Sequence, residues 1–444
     1  MAIERAAPDA GISAVAASEA LLSPGASSPL TRFLRQLGPG LVTGASDDDP
    51  SGIATYAQIG AQFGFGMLWT LLLTYPLMAA IQEVSAWIAR VTGVGIAGNM
   101  RRYYPPRLVC PLIALVVIAN VINLGADIGA MGGALTLLVG GPALLYSVLF
   151  GLVSVASAVL VSYSRFARLL KWSTLVLFVY VGTVFTIRVP WRPVLLGSLI
   201  PRISLSRDYM VALMAVFGTT ISPYLFFWQA SQEVQEQKAT PGQEPLKRAP
   251  GQAAAQLEPM RTDTRLGMAL SNAIAFFIVL DTAAALHTKG VTNIQTAEQA
   301  AAALRPLAGN FAFVLFSVGI IGTGLLAVPV LAGSAAYALA ETLQWPIGLD
   351  RKLNRARGFY GVLAIATLLG VTLNFTPINP IRALFWSAVI NGVCAAPVMV
   401  VMMLMATNPS VTGALTLATP QRVLGWLSTL VMLAVSVVMI VGLL

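Results

Sequence analysis

Apolar residues occur in long runs along most of this 444-residue chain, and short polar segments separate them. An α-helix needs about 20 mainly apolar residues to cross a bilayer. The runs predict eleven membrane-spanning helices, numbered here as spans one to eleven, at residues 39–61, 66–90, 107–136, 143–164, 168–188, 208–235, 265–288, 309–340, 358–375, 381–405 and 421–443. The pattern therefore predicts an all-α integral membrane protein.

Two of these runs are interrupted near the middle by polar residues and a proline. Residues 47–52 of span one read Asp-Asp-Asp-Pro-Ser-Gly, and residues 218–224 of span six read Gly-Thr-Thr-Ile-Ser-Pro-Tyr. Either interruption alone is compatible with a simple kink, because Pro and Gly are common in membrane helices. Paired breaks five spans apart, one of them with carboxylates, favour an inverted-repeat transporter with a central site.

The spans divide into two repeats of five. The first repeat covers about 36–190, the second about 205–405, and the helix at 421–443 is an addition. Residues 1–35 are rich in Ala, Ser, Pro and Gly, and they are predicted to form a disordered cytoplasmic tail. The polar segment 236–262, between spans six and seven, is predicted to be a flexible loop.

Composition and charge agree with this membrane topology. The chain is 57% hydrophobic and only 10% charged, and its mean hydropathy is +0.78. Lys and Arg are concentrated in the loops after even-numbered spans, which predicts a cytoplasmic N-terminus and a periplasmic or extracellular C-terminus in a bacterial inner membrane. The net charge of +9 is explained by these loops, so no nucleic-acid partner is expected. We expect a monomer whose partners are the lipid bilayer and a transported ion.

The two breaks carry oxygen donors and contain no Cys, Met or His. Hard oxygen ligands suit Mg²⁺, Ca²⁺ or Mn²⁺, whereas sulfur favours later transition metals. Neighbouring side chains on a helix point about 100° apart, so three adjacent carboxylates cannot all face one pocket. Asp49, next to the proline, is the predicted ligand, while Asp47 and Asp48 have no assigned role. Asp127 in span three is either a proton-relay group or a structural hydrogen-bond partner.

Several segments resemble the NRAMP family of divalent-metal transporters. Residues 38–42 read Gly-Pro-Gly-Leu-Val, Asp49 is followed by Pro50, residues 60–64 read Gly-Ala-Gln-Phe-Gly, and residues 272–277 read Asn-Ala-Ile-Ala-Phe-Phe. The resemblance covers nearly everything after residue 35. It implies a LeuT-type inverted repeat with about eleven spans, in which the first and sixth are broken.

The chain also departs from the family pattern. The family's span one reads Asp-Pro-Gly-Asn, but here Ser51 and Gly52 follow the proline. Its span six reads Met-Pro-His, but here Ser222 and Tyr224 flank the proline, and Ala130 stands where an acidic residue is expected. This pattern resembles a divergent branch, the bacterial NRAMP-related magnesium transporters, which carry Mg²⁺ and Mn²⁺ without proton coupling.

The resemblance implies a set of site residues. The metal-site residues are Asp49, Gly52, Ser46, Thr219 and Ser222. The candidate supporting or pathway residues are Ser51, Thr220, Tyr224, Asp48, Asp127 and Asn391.

Three functions are compatible with the sequence. The first is a carrier of Mg²⁺ and Mn²⁺ that works by alternating access without proton coupling. The second is a proton-coupled importer of Mn²⁺ or Fe²⁺, and the third is a LeuT-fold carrier of an organic solute. The chain contains no nucleophile–base constellation and no phosphate-binding loop, so it is predicted not to be an enzyme and to need no cofactor.

Overall fold

The computed structural model describes residues 38–160, 177–186, 189–349 and 351–443. The predicted tail at 1–35 and most of span five lie outside the described residues. Within the described part of the chain, every regular element is a helix. Eight helical stretches in this part are long and apolar enough to cross a membrane.

The helices follow the predicted spans in order. Span one is α1 (Pro39–Asp47) and α2 (Pro50–Phe63), and span two is α3 (Leu68–Thr92). The short helix α4 (Ile96–Tyr103) lies in the loop before span three, which is α5 (Pro106–Val139). Span four is α6 (Ala143–Leu160), span five contains α7 (Phe178–Val184), and α8 (Trp191–Leu199) follows span five. Span six is α9 (Arg207–Thr220) and α10 (Pro223–Ala239), and span seven is α11 (Ala253–Ala285). The short helices α12 (Ala297–Ala301) and α13 (Arg305–Ala308) precede span eight, α14 (Ala312–Leu343). Spans nine, ten and eleven are α15 (Arg357–Leu373), α16 (Pro380–Ala406) and α18 (Thr419–Leu443), with α17 (Pro409–Thr412) before the last.

Proline and cap residues explain many of the helix ends. Pro50, Pro223 and Pro380 each occupy the first turn of a helix, where the missing N–H has no intrahelical partner to lose. The Asn379 side chain caps span ten by accepting the N–H groups of Ile381 and Arg382. The broken spans are thus each a helix end followed by a proline-initiated helix start.

The segment 236–262 is folded, so the prediction of a flexible loop is wrong. The helix of span six continues to Ala239, and the helix of span seven begins at Ala253. Between them Leu246 is fully buried and donates its N–H to the Arg90 carbonyl at 3.0 Å. The Gln237 side chain donates to the Arg90 carbonyl at 2.9 Å. The polar composition suggested disorder, but these polar groups bond to backbone atoms of the protein.

Span three is the central helix of one part of the bundle, because it packs against spans four, eight, nine and ten. Span seven packs against both halves of span one and against span two. The break in span one therefore lies between spans three and seven, with span six beside it.

The face at which α1 begins, called the closed side here, is sealed by close packing and ion pairs. Gly40 donates its N–H to Asp263 Oδ2 at 2.6 Å, and Gly44 contacts the backbone of Gly267. The buried Arg90 guanidinium pairs with Glu233 at 2.6 Å and with Glu236 at 2.5 Å. These contacts join spans one, two, six and seven, so no open path is visible between these helices on this side.

The opposite face, called the vestibule side, contains a cavity of about 220 Å³. Its walls include Ala54 and Ala57 of α2, Ala130 of span three and Leu384 of span ten. The exposed Glu298 also lines it. Ala54 is the wall residue that lies nearest to the break along span one, and residues 47–52 of the break do not line the cavity.

Candidate functional site

The break in span one is a short extended segment between two helices. Helix α1 ends at Asp47 and α2 begins at Pro50. Asp49 has φ −71° and ψ 169°, an extended conformation, and its side chain caps α2. The carboxylates of Asp47, Asp48 and Asp49 are buried, with at most 2% of each residue exposed. Three carboxylates in a bilayer interior need hydrogen-bond donors or a cation.

The Asp49 carboxylate accepts two hydrogen bonds, and the Tyr224 hydroxyl, whose proton goes to the Ser46 carbonyl at 3.0 Å, lies close to it. Oδ1 accepts the Gly52 N–H at 2.7 Å, while Oδ2 accepts from the Asn123 amide at 3.1 Å and lies 3.4 Å from the Tyr224 hydroxyl. A carboxylate offers about four lone-pair positions. One position on Oδ1 is left for a ligand, and the second position on Oδ2 is next to the Tyr224 hydroxyl.

At the break in span six, the Ser222 and Thr220 hydroxyls donate their protons to carbonyls of span six itself. The Ser222 hydroxyl shares its proton between the Gly218 carbonyl at 2.7 Å and the Thr219 carbonyl at 3.1 Å. The Thr220 hydroxyl donates to the Val216 carbonyl at 2.9 Å. These hydroxyls keep their lone pairs, but their protons are used locally.

Oxygen atoms from both breaks converge beside Gly52. A methyl group placed on this glycine would lie 3.1 Å from Thr219 Oγ1, 3.2 Å from the Asp47 carbonyl and 3.4 Å from Asp49 Oδ1. The predicted residues Asp49, Gly52 and Thr219 are therefore brought together. Ser46 joins them through its carbonyl, which accepts the Tyr224 hydroxyl at 3.0 Å.

Among the predicted supporting residues, Ser51, Asp127 and Asp48 form hydrogen bonds at or beside the first break, whereas Asn391 does not. Ser51 donates its N–H to Asp127 Oδ1 at 3.2 Å, so Asp127 does adjoin the first break. Asp48 contacts the Ser271 hydroxyl at 3.2 Å and Asp47 contacts the same hydroxyl at 2.5 Å. Asn391 is buried in span ten, and its Oδ1 has no partner within the described part of the chain. The side chain of span ten that reaches the site is Ser387, about one helical turn away.

Three residues that hold the site were not among the predicted ones: Asn123, Ser271 and Ser387. Asn123 precedes Asp127 by four residues, and this spacing puts both side chains on one face of span three. That spacing was a usable signal. Ser271 and Ser387 lie in unbroken spans, so no local pattern distinguishes them from other membrane serines.

The site is not a cluster of metal-binding side chains of the usual kind. No group of three or more His, Cys, Asp or Glu side chains among the described residues is placed to hold a metal ion. A cation here would rely on one carboxylate, a hydroxyl and backbone carbonyls. Such a donor set consists entirely of oxygen.

Comparison with known proteins identifies the family. The family model for natural resistance-associated macrophage protein-like (Nramp) sequences matches residues 40–442. The chain belongs to the Nramp family. This Nramp protein is a multi-pass membrane transporter and not an enzyme.

Individual relatives agree with this assignment. The divalent metal cation transporter MntH of Yersinia enterocolitica is 26% identical over 420 residues, which is 92% of this chain and 95% of that protein. MntH of Aeromonas hydrophila is 26% identical over 343 residues, covering 74% of this chain and 80% of that protein.

Solved structures show the fold. The manganese transporter of Eremococcus coleocola superposes with a TM-score of 0.72 at 16% identity, covering 94% of this chain and 88% of that one. MhsT, solved with L-phenylalanine, gives a TM-score of 0.54 at 13% identity and covers 88% of this chain and 98% of that one. The predicted all-helical LeuT-type fold with broken first and sixth spans is confirmed.

Proposed function

We propose that this Nramp-family transporter carries a partly hydrated divalent cation, Mg²⁺ foremost and Mn²⁺ also, by alternating access and without proton coupling. The relatives named as divalent metal cation transporters support the general class of substrate. The choice of Mg²⁺ rests on the donor atoms of the site.

The observation that carries the proposal is how the two carboxylate oxygens of Asp49 are already surrounded by hydrogen-bond donors. Because the Asn123 amide and the Tyr224 hydroxyl both lie against Oδ2, this carboxylate can make one direct bond to a cation, through Oδ1. The nearby oxygens of Thr219 and the Asp47 carbonyl can bind either the ion or its water. Mg²⁺ dehydrates reluctantly and is usually held through one or two carboxylates with several waters retained. A single-bond carboxylate in an oxygen-lined space fits such an ion.

The residues at the second break argue against a preference for transition metals. Ser222 and Tyr224 stand on either side of Pro223, so neither a thioether nor an imidazole is supplied there. A thioether is a soft ligand that favours later transition metals over Mg²⁺. Without it, the site has no element that selects against hard ions.

The membrane potential supplies a driving force for uncoupled import. A divalent ion moving to the negative side gains about 4.6 kcal/mol per 100 mV, twice the value for one charge. The sealed closed side and the vestibule cavity are compatible with one state of an alternating-access cycle. A proton gradient is unnecessary for this direction of transport.

A second candidate is a proton-coupled importer of Mn²⁺ or Fe²⁺. Asp127 favours it, because this buried carboxylate accepts the Ser51 N–H at 3.2 Å beside the break. A carrier of an organic solute has no comparable support, since the likeness to MhsT concerns the fold alone.

Uptake by purified protein in liposomes tests these functions. We expect uptake of Mg²⁺ and Mn²⁺ that is unaffected by a pH gradient and produces no signal from an enclosed pH dye. Asp49→Ala protein serves as the control for leak. Uptake of Mn²⁺ with stoichiometric proton entry and exclusion of Mg²⁺ would overturn the proposal in favour of the second candidate.

A further inference from the structure

A ring of hydrogen bonds links the first break to spans three and ten. Asn123 donates to Asp49 Oδ2 at 3.1 Å, and Ser387 donates to Asn123 Oδ1 at 2.8 Å. The Ser387 and Ser51 hydroxyls are 3.0 Å apart, and Ser51 lies two residues after Asp49. The four side chains are buried, with at most 2% of each residue exposed. The ring therefore connects Asp49 to Ser51 of the same span through side chains of spans three and ten.

We infer that Asn123 is a specificity-determining residue, because it occupies Asp49 Oδ2 and so restricts the carboxylate to a single bond with the cation. This restriction would favour Mg²⁺ over Ca²⁺. The inference rests on the proposed function, in which Asp49 binds a divalent cation.

The orientation of the Asn123 amide follows from its two neighbours. An ionised carboxylate only accepts hydrogen bonds, so the NH₂ group must face Asp49. The amide oxygen then faces the Ser387 hydroxyl, whose one proton is shared between this oxygen at 2.8 Å and the Leu384 carbonyl at 2.7 Å. In the reverse orientation the amide oxygen would face a carboxylate oxygen with no proton between them. Ser387 thus acts as a positioning residue for Asn123.

The chemistry of the two ions explains the expected selectivity. Ca²⁺ takes six to eight oxygen ligands in flexible geometry and accepts bidentate carboxylates, whereas Mg²⁺ demands near-octahedral geometry and keeps waters. A bidentate Asp49 would need both of its oxygens. Asn123 and Tyr224 both lie on Oδ2, so bidentate binding would have to displace them. Loss of Asn123 frees one lone-pair position of Oδ2 and permits the second bond.

Asn120 provides a matched control. It is an asparagine on the same helix, is equally buried, and donates to the Leu331 carbonyl at 3.3 Å rather than to Asp49. Asn120→Ala and Asn123→Ala therefore remove the same atoms from the same span. They differ in whether the carboxylate of the site loses a donor.

The experiment measures KM for Mg²⁺ and for Ca²⁺ in proteoliposomes for the wild type and both variants. Asn123→Ala is expected to shift the ratio of the two KM values towards Ca²⁺ by about tenfold, the size of effect produced by one hydrogen bond to a charged group. Asn120→Ala is expected to leave the ratio unchanged. A merely structural role for Asn123 would lower uptake of both ions together, and an unchanged ratio would overturn the inference.

A second variant keeps the test decisive if Asn123→Ala does not fold. Ser387→Ala removes one hydroxyl and frees the Asn123 amide to turn, so a smaller shift in the same direction is expected. If Ser387→Ala protein keeps the wild-type ratio of the KM values for Mg²⁺ and Ca²⁺, the hydrogen-bond ring is not the source of the selectivity. If the wild type moves no divalent cation at all, the proposed function itself fails, and that result is distinct from an unchanged ratio.

Discussion

The two broken helices of this transporter look alike in sequence and differ in how their polar groups are satisfied. In span one, Asp49 and Ser51 bond to side chains or carbonyls of spans three, six and ten. In span six, Ser222 and Thr220 bond to carbonyls of the preceding turn of their own helix. The polar side chains Asp49 and Ser51 of the first break are thus bonded to other spans, whereas the Ser222 and Thr220 hydroxyls of the second are bonded within span six.

The two breaks therefore have different roles, although they occupy corresponding positions in the two repeats. The first break supplies the charge and depends on distant residues for its geometry. The second supplies oxygens on a helix end that is already stable. Substitutions in the first break should therefore disturb ion binding more than substitutions in the second, and the following predictions test this order from the largest effect to the smallest.

Asp49→Ala is expected to give the largest loss, on the order of 100-fold in Mg²⁺ uptake, because it removes a charged partner worth about 3 kcal/mol. Calorimetry with Mg²⁺ should show a matching loss of binding. Asp49→Asn keeps the shape and removes the charge, so it separates the two contributions. Wild-type uptake by Asp49→Ala protein would show that the cation binds elsewhere.

Gly52→Ala is expected to raise KM for Mg²⁺ by about tenfold, since the added methyl fills the space between three oxygens and such an intrusion costs about 1–3 kcal/mol. Gly361→Ala in span nine is the matched control, because a methyl there meets no atom within 4 Å. If both variants transport alike, the space beside Gly52 is not where the ion passes.

Thr219→Val should weaken binding about threefold, because it removes one neutral oxygen of similar size from the same space and such a group is worth about 0.5–1.5 kcal/mol. The measurement is the KM for Mg²⁺ with kcat compared alongside. An effect equal to that of Asp49→Ala would mean that the second break carries as much of the binding as the first.

Ser222→Ala is expected to have the smallest effect on uptake, below about twofold, because its proton is already used within its own helix. Its hydrogen bond contributes about 0.5–1.5 kcal/mol to the local structure and not to the ion. Uptake of Mg²⁺ measured in parallel with Thr219→Val checks it. A loss larger than that of Thr219→Val would make Ser222 a direct ligand and remove the proposed asymmetry.

The fold was predictable to a large extent because its signals are local. Apolar runs locate spans, and Pro50 and Pro223 with their polar neighbours locate the breaks. Asp49 follows from charge next to a break. The start of span seven at Ala253 was not predictable in this way, since polar residues occupy its first turns and are accommodated by buried glutamines such as Gln256.

The rest of the site depends on how helices are rotated against one another. Ser387 and Asn391 both lie in span ten about one turn apart, and the sequence offers no reason to choose the first. Ser271 meets Asp47 because span seven packs along span one. Such pairings are decided by the packing of whole helices, so they become visible only when the helices are placed.

The contact between α1 and span seven on the closed side also determines what kind of motion can open it. Gly40 and Gly44 lie directly against the backbone of residues 263–267, with no side chain between them. A change of rotamer can turn the Asp263 carboxylate away from Gly40 and Leu41, but the backbone contacts at Gly40 and Gly44 would remain. We expect α1 to move as a unit about the non-helical residues 48–49, because its backbone contacts with span seven have to separate. Hinge movements of that kind take microseconds to milliseconds.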